Sequence, residues 1–153
     1  MIFILFIGCV VFSSASGRCP DGFVKFGASC YYFSNDVGTW TGSQVVCSQA
    51  FFPTKANLVE INSQTENEFL YQRARENRKY YWVGASDLQI TGMYRWLNSG
   101  KVVAAPAIFW APTEPQGGSE HCMAIVHDRG TSNCWIDISC NHQLNFICET
   151  PAK

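Results

Sequence analysis

Two segments near the end of the chain, Cys134-Trp135-Ile136-Asp137-Ile138-Ser139-Cys140 and Phe146-Ile147-Cys148-Glu149, decide how this 153-residue sequence is interpreted. Each is a short apolar run that carries cysteines, and we expect both to be β-strands held by disulfide bonds. Such strands would fix the loops next to them, so the polar residues of those loops become candidates for a functional site.

The loop before these strands, Glu114-Pro115-Gln116-Gly117-Gly118-Ser119-Glu120-His121-Cys122, is rich in oxygen-bearing side chains. Glu114, Gln116 and Glu120 lie on it, and Asp137 lies on the strand that follows. Ca²⁺ takes about 6–8 oxygen ligands from carboxylates, amides, carbonyls and water. Any one of these side chains is more often a solvated loop residue, but the four together predict a cation site.

The first residues predict export. Residues 2–12 are almost wholly apolar and are followed by the small residues 13–17, which is the pattern of a secretory signal peptide with its cleavage site. The apolar run is too short to cross a bilayer as a helix. We therefore expect a signal peptide over residues 1–17, one domain over residues 18–153, and secretion to the extracellular space.

Cysteine usage agrees with export. Seven cysteines follow the signal segment, and in an exported protein they indicate a disulfide framework with one thiol left over. Their spacing lacks the paired ligands of a zinc site.

Several functional classes are disfavoured. The formal net charge of −1 argues against a nucleic-acid partner, which usually needs a basic face. No stretch predicts a membrane span. His121, His127 and His142 have no serine or cysteine nucleophile signature around them, so we do not expect an enzyme.

Local patterns predict the helices and strands. Thr39 is a candidate N-cap for a first helix that ends before Pro53, and Ser63-Gln64-Thr65-Glu66 is a capping box that starts a second helix over about residues 64–77. The predicted strands, by residue range, are 23–26, 30–33, 81–85, 94–97, 123–126, 135–138 and 145–148. Residues 98–121 form a long loop, and long loops in compact domains are usually functional.

A basic run, Arg73, Arg75, Arg78 and Lys79, lies at the predicted end of the second helix. The helix dipole favours cations at that position, and this is the simpler explanation. A surface patch for sulfated glycans is the alternative.

In their order and spacing, these motifs resemble the C-type lectin-like domain in its long form, which has an extra N-terminal hairpin. The resemblance covers Cys19 to Glu149. The motifs that carry it, besides the two closing segments, are Trp40-x-x-Ser43-x-x-x-Cys47, Leu58-x-x-Ile61-x-Ser63-x-x-Glu66-Asn67-x-Phe69, Trp82-Val83-Gly84, Tyr94-x-Trp96-x-Asn98-x-Gly100, and Trp110 before Glu114. Each motif alone is weak, whereas the whole series in order is specific.

The resemblance implies an α+β fold in which two helices flank small antiparallel β-sheets, with a long loop region and disulfide bonds. It implies the pairs Cys19–Cys30, Cys47–Cys148 and Cys122–Cys140. Cys134 has no partner in that scheme, so we expect it to join two chains as a disulfide-linked homodimer in part of the population.

The resemblance also assigns a site. In sugar-binding members one Ca²⁺ lies between an E-P-N loop and a W-N-D strand, and two sugar hydroxyls complete its coordination. Carried over, Glu114, Gln116, Glu120 and Asp137 would bind both calcium and carbohydrate. A cis Glu114–Pro115 bond is expected, because it makes the two side chains around the proline converge.

Two residues depart from the family pattern. Gln116 replaces asparagine, which keeps the amide but adds a methylene. Ile136 replaces the asparagine of W-N-D, which removes a metal ligand and a sugar donor and is expected to weaken calcium binding. The order of acid and then amide in Glu114-Pro115-Gln116 is similar to that of mannose-type members.

The sequence therefore predicts a secreted, calcium-assisted lectin for mannose-type glycans, with a role in innate glycan recognition by analogy with the family. The alternative is a lectin-like module that binds protein, mineral or glycan without a metal. Glu120 and Asp137 support the first hypothesis, and Ile136 supports the second.

Overall fold

The structure, a computed structural model, describes residues 17–153. The expected signal peptide, apart from Gly17, lies outside these residues, so it stays a prediction. The helices are α1, Trp40–Gln49, and α2, Gln64–Asn77. The strands are β1 Val24–Phe26, β2 Ser29–Phe33, β3 Asn57–Leu58, β4 Tyr81–Ser86, β5 Arg95–Trp96, β6 Cys122–Ile125, β7 Trp135–Ile138 and β8 Asn145–Pro151.

Both helices begin where the sequence predicts. The Thr39 hydroxyl oxygen accepts a hydrogen bond of 3.1 Å from the Gly42 N–H and caps α1, and the Ser63 hydroxyl caps α2 by accepting from the Glu66 N–H. Arg78, in the left-handed conformation with φ 54°, ends α2. Neither helix of residues 17–153 is long and apolar enough to cross a membrane.

The strands form a single sheet in the order β1-β2-β8-β4-β6-β7, with β3 added to β8 and β5 added to β4. One pairing is parallel: in β4 and β8, Tyr81 lies opposite Asn145 and Trp82 opposite Phe146. This parallel pair joins the small antiparallel sheets that the resemblance implies. The closing strand β8 contacts β2, β3 and β4, so it lies at the centre of the fold.

Apolar side chains pack in two clusters. The larger contains Leu70 of α2 with Val83 and Trp135 of the sheet, and the smaller contains Trp40 of α1 with Trp82. Trp82 and Trp135 are fully buried. Burying a large apolar side chain stabilises a fold by about 1.5–3 kcal/mol, so these clusters are the main favourable contribution.

Three disulfide bonds confirm the pairing that the resemblance implies, and they are Cys19–Cys30, Cys47–Cys148 and Cys122–Cys140. The second joins α1 to β8 across a sequence separation of 101 residues. In the chain-entropy account, a cross-link of that span stabilises the fold by about 4–5 kcal/mol.

The expected homodimer through Cys134 needs correction. Cys134 is unpaired, fully buried, and packed in the same cluster as Trp135 and Leu70. Burial raises the pKa of its thiol to about 12, so the reactive thiolate is scarce at neutral pH. A second chain cannot reach this sulfur while the domain is folded, and Cys134 behaves as a small apolar core residue.

Candidate functional site

The long loop 98–121 is fastened to the sheet before it reaches the predicted site. The Trp135 N–H donates to the Phe109 carbonyl oxygen at 2.9 Å, and the Ala111 N–H donates to the Trp135 carbonyl oxygen at 2.8 Å. These two bonds extend the sheet beyond β7 by a short bridge. They place the segment that starts at Glu114 directly above β7.

The Glu114–Pro115 peptide bond is cis, which confirms the expectation from the sequence. The two side chains around the proline converge, since the Gln116 amide donates a hydrogen bond of 3.0 Å to Oε1 of Glu114. The longer glutamine therefore reaches its neighbour.

Asp137 makes the largest number of hydrogen bonds among the four predicted site residues. It is 2% exposed. Its Oδ1 accepts from the Gln116 N–H at 2.7 Å, and its Oδ2 accepts from the Gly117 N–H at 2.7 Å and from the Tyr94 hydroxyl at 3.0 Å. A carboxylate has about four lone-pair positions, so one acceptor position remains, on Oδ1. Asp137 thus ties the loop to β7.

Tyr94 is a site residue that the sequence analysis assigned only to a strand. Its ring packs edge-on against Trp110 with the centroids 4.9 Å apart, and its hydroxyl is directed at Asp137. Burial and the hydrogen bond to Asp137 raise the pKa of Tyr94, so the phenol stays protonated and donates. An aromatic strand motif indicates packing, and nothing in it signals the hydroxyl contact.

The Glu114 carboxyl group is buried, and only one of its two oxygens accepts a hydrogen bond from the described residues. Its side chain is 3% exposed, and its Oε2 has no hydrogen-bond partner among the described residues. Burial, together with the neighbouring Asp137 carboxylate, raises the pKa of Glu114. A buried anionic oxygen without a partner is costly, so the group favours a proton or a cation.

The charges of the two acids diverge. Burial opposes ionisation of Asp137, but the hydrogen bonds from the Gln116 and Gly117 N–H groups and from the Tyr94 hydroxyl hold the pKa of Asp137 below its usual value. Of the pair, Asp137 therefore loses its proton at the lower pH, and Glu114 keeps its proton to a higher pH.

Arg129 is a second site residue that the sequence did not reveal. It follows β6, and its Nη2 lies 4.0 Å from Oε1 of Glu114. The guanidinium is a weak internal counter-ion for Glu114, because it is half-exposed and at the limit of ion-pair distance.

Glu120 does not join the others. Its backbone N–H donates to the Gly117 carbonyl oxygen at 3.2 Å, but no hydrogen bond or ion pair connects its carboxylate to Glu114, Gln116 or Asp137. Within residues 17–153 no three His, Cys, Asp or Glu side chains form a group that could hold a metal ion. Of the four predicted site residues, Glu114, Gln116 and Asp137 are therefore in contact with one another, and the Glu120 side chain makes no contact of this kind.

The next residue, His121, fastens the end of the loop instead. Its Nδ1 lies 2.8 Å from Oδ1 of Asp87, which is 2% exposed, and Oδ2 of Asp87 accepts from the Gly92 N–H at 2.7 Å. This contact ties the loop to the end of β4.

Ile136 is part of the apolar core. It is 8% exposed, pairs with Ala124 across β6 and β7, and belongs to the cluster that contains Ala111 and Val126. The side chain that replaces a polar family residue is thus used for packing.

The site offers a calcium ion part of the set of ligands that it needs. Three groups offer oxygen donors of the kind that Ca²⁺ prefers: Oε2 of Glu114, which has no hydrogen-bond partner among the described residues, the free position on Oδ1 of Asp137, and the amide of Gln116. They supply fewer than the usual 6–8 oxygens, so sugar hydroxyls, water or Glu120 must supply the rest.

A second group of acids lies elsewhere, between α2 and β8. Glu66 accepts from the Tyr31 hydroxyl at 2.7 Å and from the Asn62 N–H at 2.8 Å, and Glu149 accepts from the Glu60 N–H. Burial raises the pKa values of Glu66 and Glu149, and the Glu60 charge adds to both effects. The sequence analysis placed Glu66 in the capping box and did not foresee this cluster.

The comparisons with known proteins agree with this geometry. The family model for the Lectin C-type domain matches residues 36–150. C-type lectin domain family 6 member A of Mus musculus is 33% identical over 142 residues, which is 93% of this chain and 65% of that protein. The chain thus spans about two thirds of the length of this relative.

Two solved structures share the fold and part of the sequence. The carbohydrate-recognition domain of cow CD23, determined in the presence of a GlcNAc2Man3 oligosaccharide, has a TM-score of 0.74 and 29% identity, and the match covers 90% of this chain and 98% of that one. The lectin domain of murine dendritic cell inhibitory receptor 2, in complex with an N-glycan, has a TM-score of 0.74 and 27% identity, covering 88% and 99%. The chain belongs to the C-type lectin domain family.

Proposed function

We propose that this chain is a carbohydrate-binding lectin that holds a mannose-type sugar at Glu114, Gln116 and Asp137 with the assistance of Ca²⁺. The observation that carries the proposal is the buried Oε2 of Glu114, which has no hydrogen-bond partner within residues 17–153 and lies beside the Asp137 carboxylate. Two acids that share a buried position need a cation or a proton between them.

The chain's own groups suit sugar recognition. The Glu114 carboxylate accepts hydrogen bonds from sugar hydroxyls, and the Gln116 amide can both donate to a hydroxyl and offer its carbonyl oxygen. Bound Ca²⁺ would supply positive charge to the acids and coordinate two vicinal hydroxyls. Asp137 holds the Gln116 and Gly117 backbone in place, so the recognition groups are positioned before the sugar arrives.

The relatives support glycan binding in general. The cow CD23 domain was determined with a mannose-containing oligosaccharide and the murine receptor domain with an N-glycan. Secretion and innate glycan recognition are part of the proposal and rest on the signal-like residues 1–17 and on the family. We propose binding without catalysis.

A metal-independent module is the second candidate. Two observations favour it: the core position of Ile136, and the use of three acceptor positions of Asp137 by Gln116, Gly117 and Tyr94. In this case the ligand would bind to the loop without a metal ion.

The test is affinity chromatography on immobilised mannose and on immobilised galactose. We expect retention on mannose in millimolar Ca²⁺ and elution with a chelator. Glu114→Gln should abolish retention, whereas Glu68→Gln, an exposed acid on α2, should not. Retention that survives the chelator would support the metal-independent candidate, and preference for galactose would overturn the mannose assignment.

A further inference from the structure

A large groove lies along α2. It has a volume of about 810 Å³ and runs between α2 and the loop 130–132. None of the four predicted site residues lines it. Its lining combines aromatic rings with cations and with polar side chains, among them Phe69, Tyr71, Arg73, Arg75, Gln72 and Thr131.

The helix end beside this groove is strongly positive. From Tyr71 to Lys79 the chain carries four cations against a single acid, Glu76, although the whole chain has a formal charge of −1. The local excess of positive charge favours an anionic ligand.

The two arginines that line the groove lie over aromatic rings. The guanidinium carbon of Arg73 lies 5.7 Å from the centroid of Phe69, and that of Arg75 lies 5.7 Å from the centroid of Tyr71. These cation–π contacts restrict the guanidinium groups and leave their N–H donors available. Arg73 has one weak ion pair, 3.4 Å from Glu76, and Arg75 pairs with no carboxylate within residues 17–153.

One residue of the lining, Tyr71, also carries a buried polar group without a partner among the described residues. Tyr71 is 3% exposed, and its hydroxyl has no hydrogen-bond partner among the described residues. A buried hydroxyl without a partner costs about 1–3 kcal/mol. The helix dipole accounts for cations near the end of α2, but it does not account for this hydroxyl.

We propose that the groove is a binding site for a sulfated glycan, separate from the calcium-assisted site. Arg73 and Arg75 would each donate paired N–H groups to a sulfate, which matches the planar geometry of guanidinium. The Tyr71 hydroxyl would bond to the ligand after a small movement of the arginine above its ring. Gln72, Thr131 and other polar lining residues would contact sugar hydroxyls.

The acids at the groove decide between a glycan and a nucleic acid. Glu68 and Glu76 also line it, so a continuous run of phosphates would meet repulsion. A glycan with spaced sulfates can place its anions on the arginines and its neutral hydroxyls near the acids.

The test is retention on immobilised heparin in a chelator, so that the calcium-assisted site takes no part. We expect the natural protein to be retained at low salt and eluted by a salt gradient, because exposed ionic contacts are screened. Arg73→Gln with Arg75→Gln should bind at least about tenfold more weakly, given the size of a single charge-assisted hydrogen bond. The matched control is Lys55→Gln with Lys101→Gln, two cations outside the groove, which should bind like the natural protein.

Two further measurements distinguish binding in the groove from non-specific attraction between the protein and a polyanion. Tyr71→Phe should weaken heparin binding without lowering the melting temperature, because the hydroxyl it removes has no hydrogen-bond partner in the part of the chain that the structure describes. Competition with unsulfated hyaluronan should be much weaker than competition with heparin. Equal losses in the two double variants, equal competition by hyaluronan or DNA, or no retention at low salt would overturn the proposal.

Discussion

The hydroxyl of Tyr94 donates a 3.0 Å hydrogen bond to the carboxylate of Asp137, and both residues are almost fully buried. Tyr94 comes just before β5 and Asp137 lies on β7, so the bond joins two parts of the sheet that are 43 residues apart in sequence. It completes the set of three donors that hold Asp137 ionised beneath the loop.

We predict that Tyr94→Phe destabilises the domain. The change removes a bond to a charged acceptor, and such bonds stabilise by about 1.5–3 kcal/mol. Denaturant unfolding monitored by tryptophan fluorescence measures the difference. Tyr32→Phe is the control, since the Tyr32 hydroxyl has no hydrogen bond among the described residues, although its ring packs near Phe23 and Phe51. An equal loss in both variants would show that the Asp137 contact is unimportant.

Calcium should stabilise the folded chain. A ligand that binds only the folded state adds RT ln(1 + [L]/Kd), which is about 2.7 kcal/mol at a hundredfold excess over Kd. We expect the melting temperature to rise by several degrees in calcium relative to chelator. Glu114→Gln should reduce the rise, because the buried carboxylate oxygen is lost. A full rise in this variant would place the bound calcium elsewhere in the domain.

Ile136→Asn should have two opposite effects. It restores a ligand and a donor of the family pattern, so calorimetry should show tighter calcium and mannose binding. It also places an amide in the cluster that contains Ala124, which should lower the free energy of unfolding in chelator by about 1–3 kcal/mol. Ile138→Asn, two residues along the same strand, should destabilise without the gain in affinity. Lower stability with no tighter binding would mean that this position is not used by the metal.

The acid cluster around Glu66 should make stability depend on pH. Burial, reinforced by the Glu60 charge, raises the folded-state pKa values of Glu66 and Glu149 above their unfolded values. The stabilisation from these groups is therefore present below the unfolded pKa and is lost as the pH rises through the folded pKa.

Glu60→Gln should flatten that dependence and raise stability at neutral pH, because it removes the repulsion that the Glu60 charge exerts on Glu66 and Glu149. Urea unfolding in chelator between about pH 4 and pH 7, a range that spans ordinary carboxyl pKa values and neutrality, measures the change. The exposed Glu68→Gln is the control. Identical pH profiles for the natural protein and Glu60→Gln would rule out this coupling.

Cys134 should be unreactive in the folded protein. Its burial and raised pKa predict no alkylation under native conditions and stoichiometric alkylation in denaturant. A non-reducing gel of protein kept folded should show a monomer. A dimer band that Cys134→Ala abolishes would mean that the core opens enough to expose this thiol.

The local features of the fold could be predicted because they depend on short sequence patterns. The bounds of α2 follow from the Ser63 cap and the preferences of its residues, and β7 has the predicted bounds of 135–138. The disulfide pairs came from the resemblance to the family, since spacing alone leaves several pairings open.

The long-range contacts of the site could not be predicted in the same way. The Arg129 contact to Glu114 and the Tyr94 contact to Asp137 depend on how distant segments fold together. Cys134 was misjudged because its burial is a property of tertiary packing, whereas an odd cysteine count is all that the sequence offers. Glu120 has the right residue type at the right spacing, but its carboxylate makes no hydrogen bond or ion pair with Glu114, Gln116 or Asp137, and a short sequence pattern cannot decide such a contact.

The Cys47–Cys148 bond has a mechanical consequence. If tension is applied at Arg18 and Lys153, whose backbones are hydrogen-bonded to each other, the covalent load path crosses directly from Cys47 to Cys148. The chain between these two cysteines, which carries every residue of the candidate site, lies off that path. Tension at the chain ends would therefore detach the N-terminal hairpin and the last residues of β8 first, while the loop at the candidate site bears no direct load. A glycan bound at that loop would then dissociate at its own rate, because pulling on the chain ends does not unfold the loop.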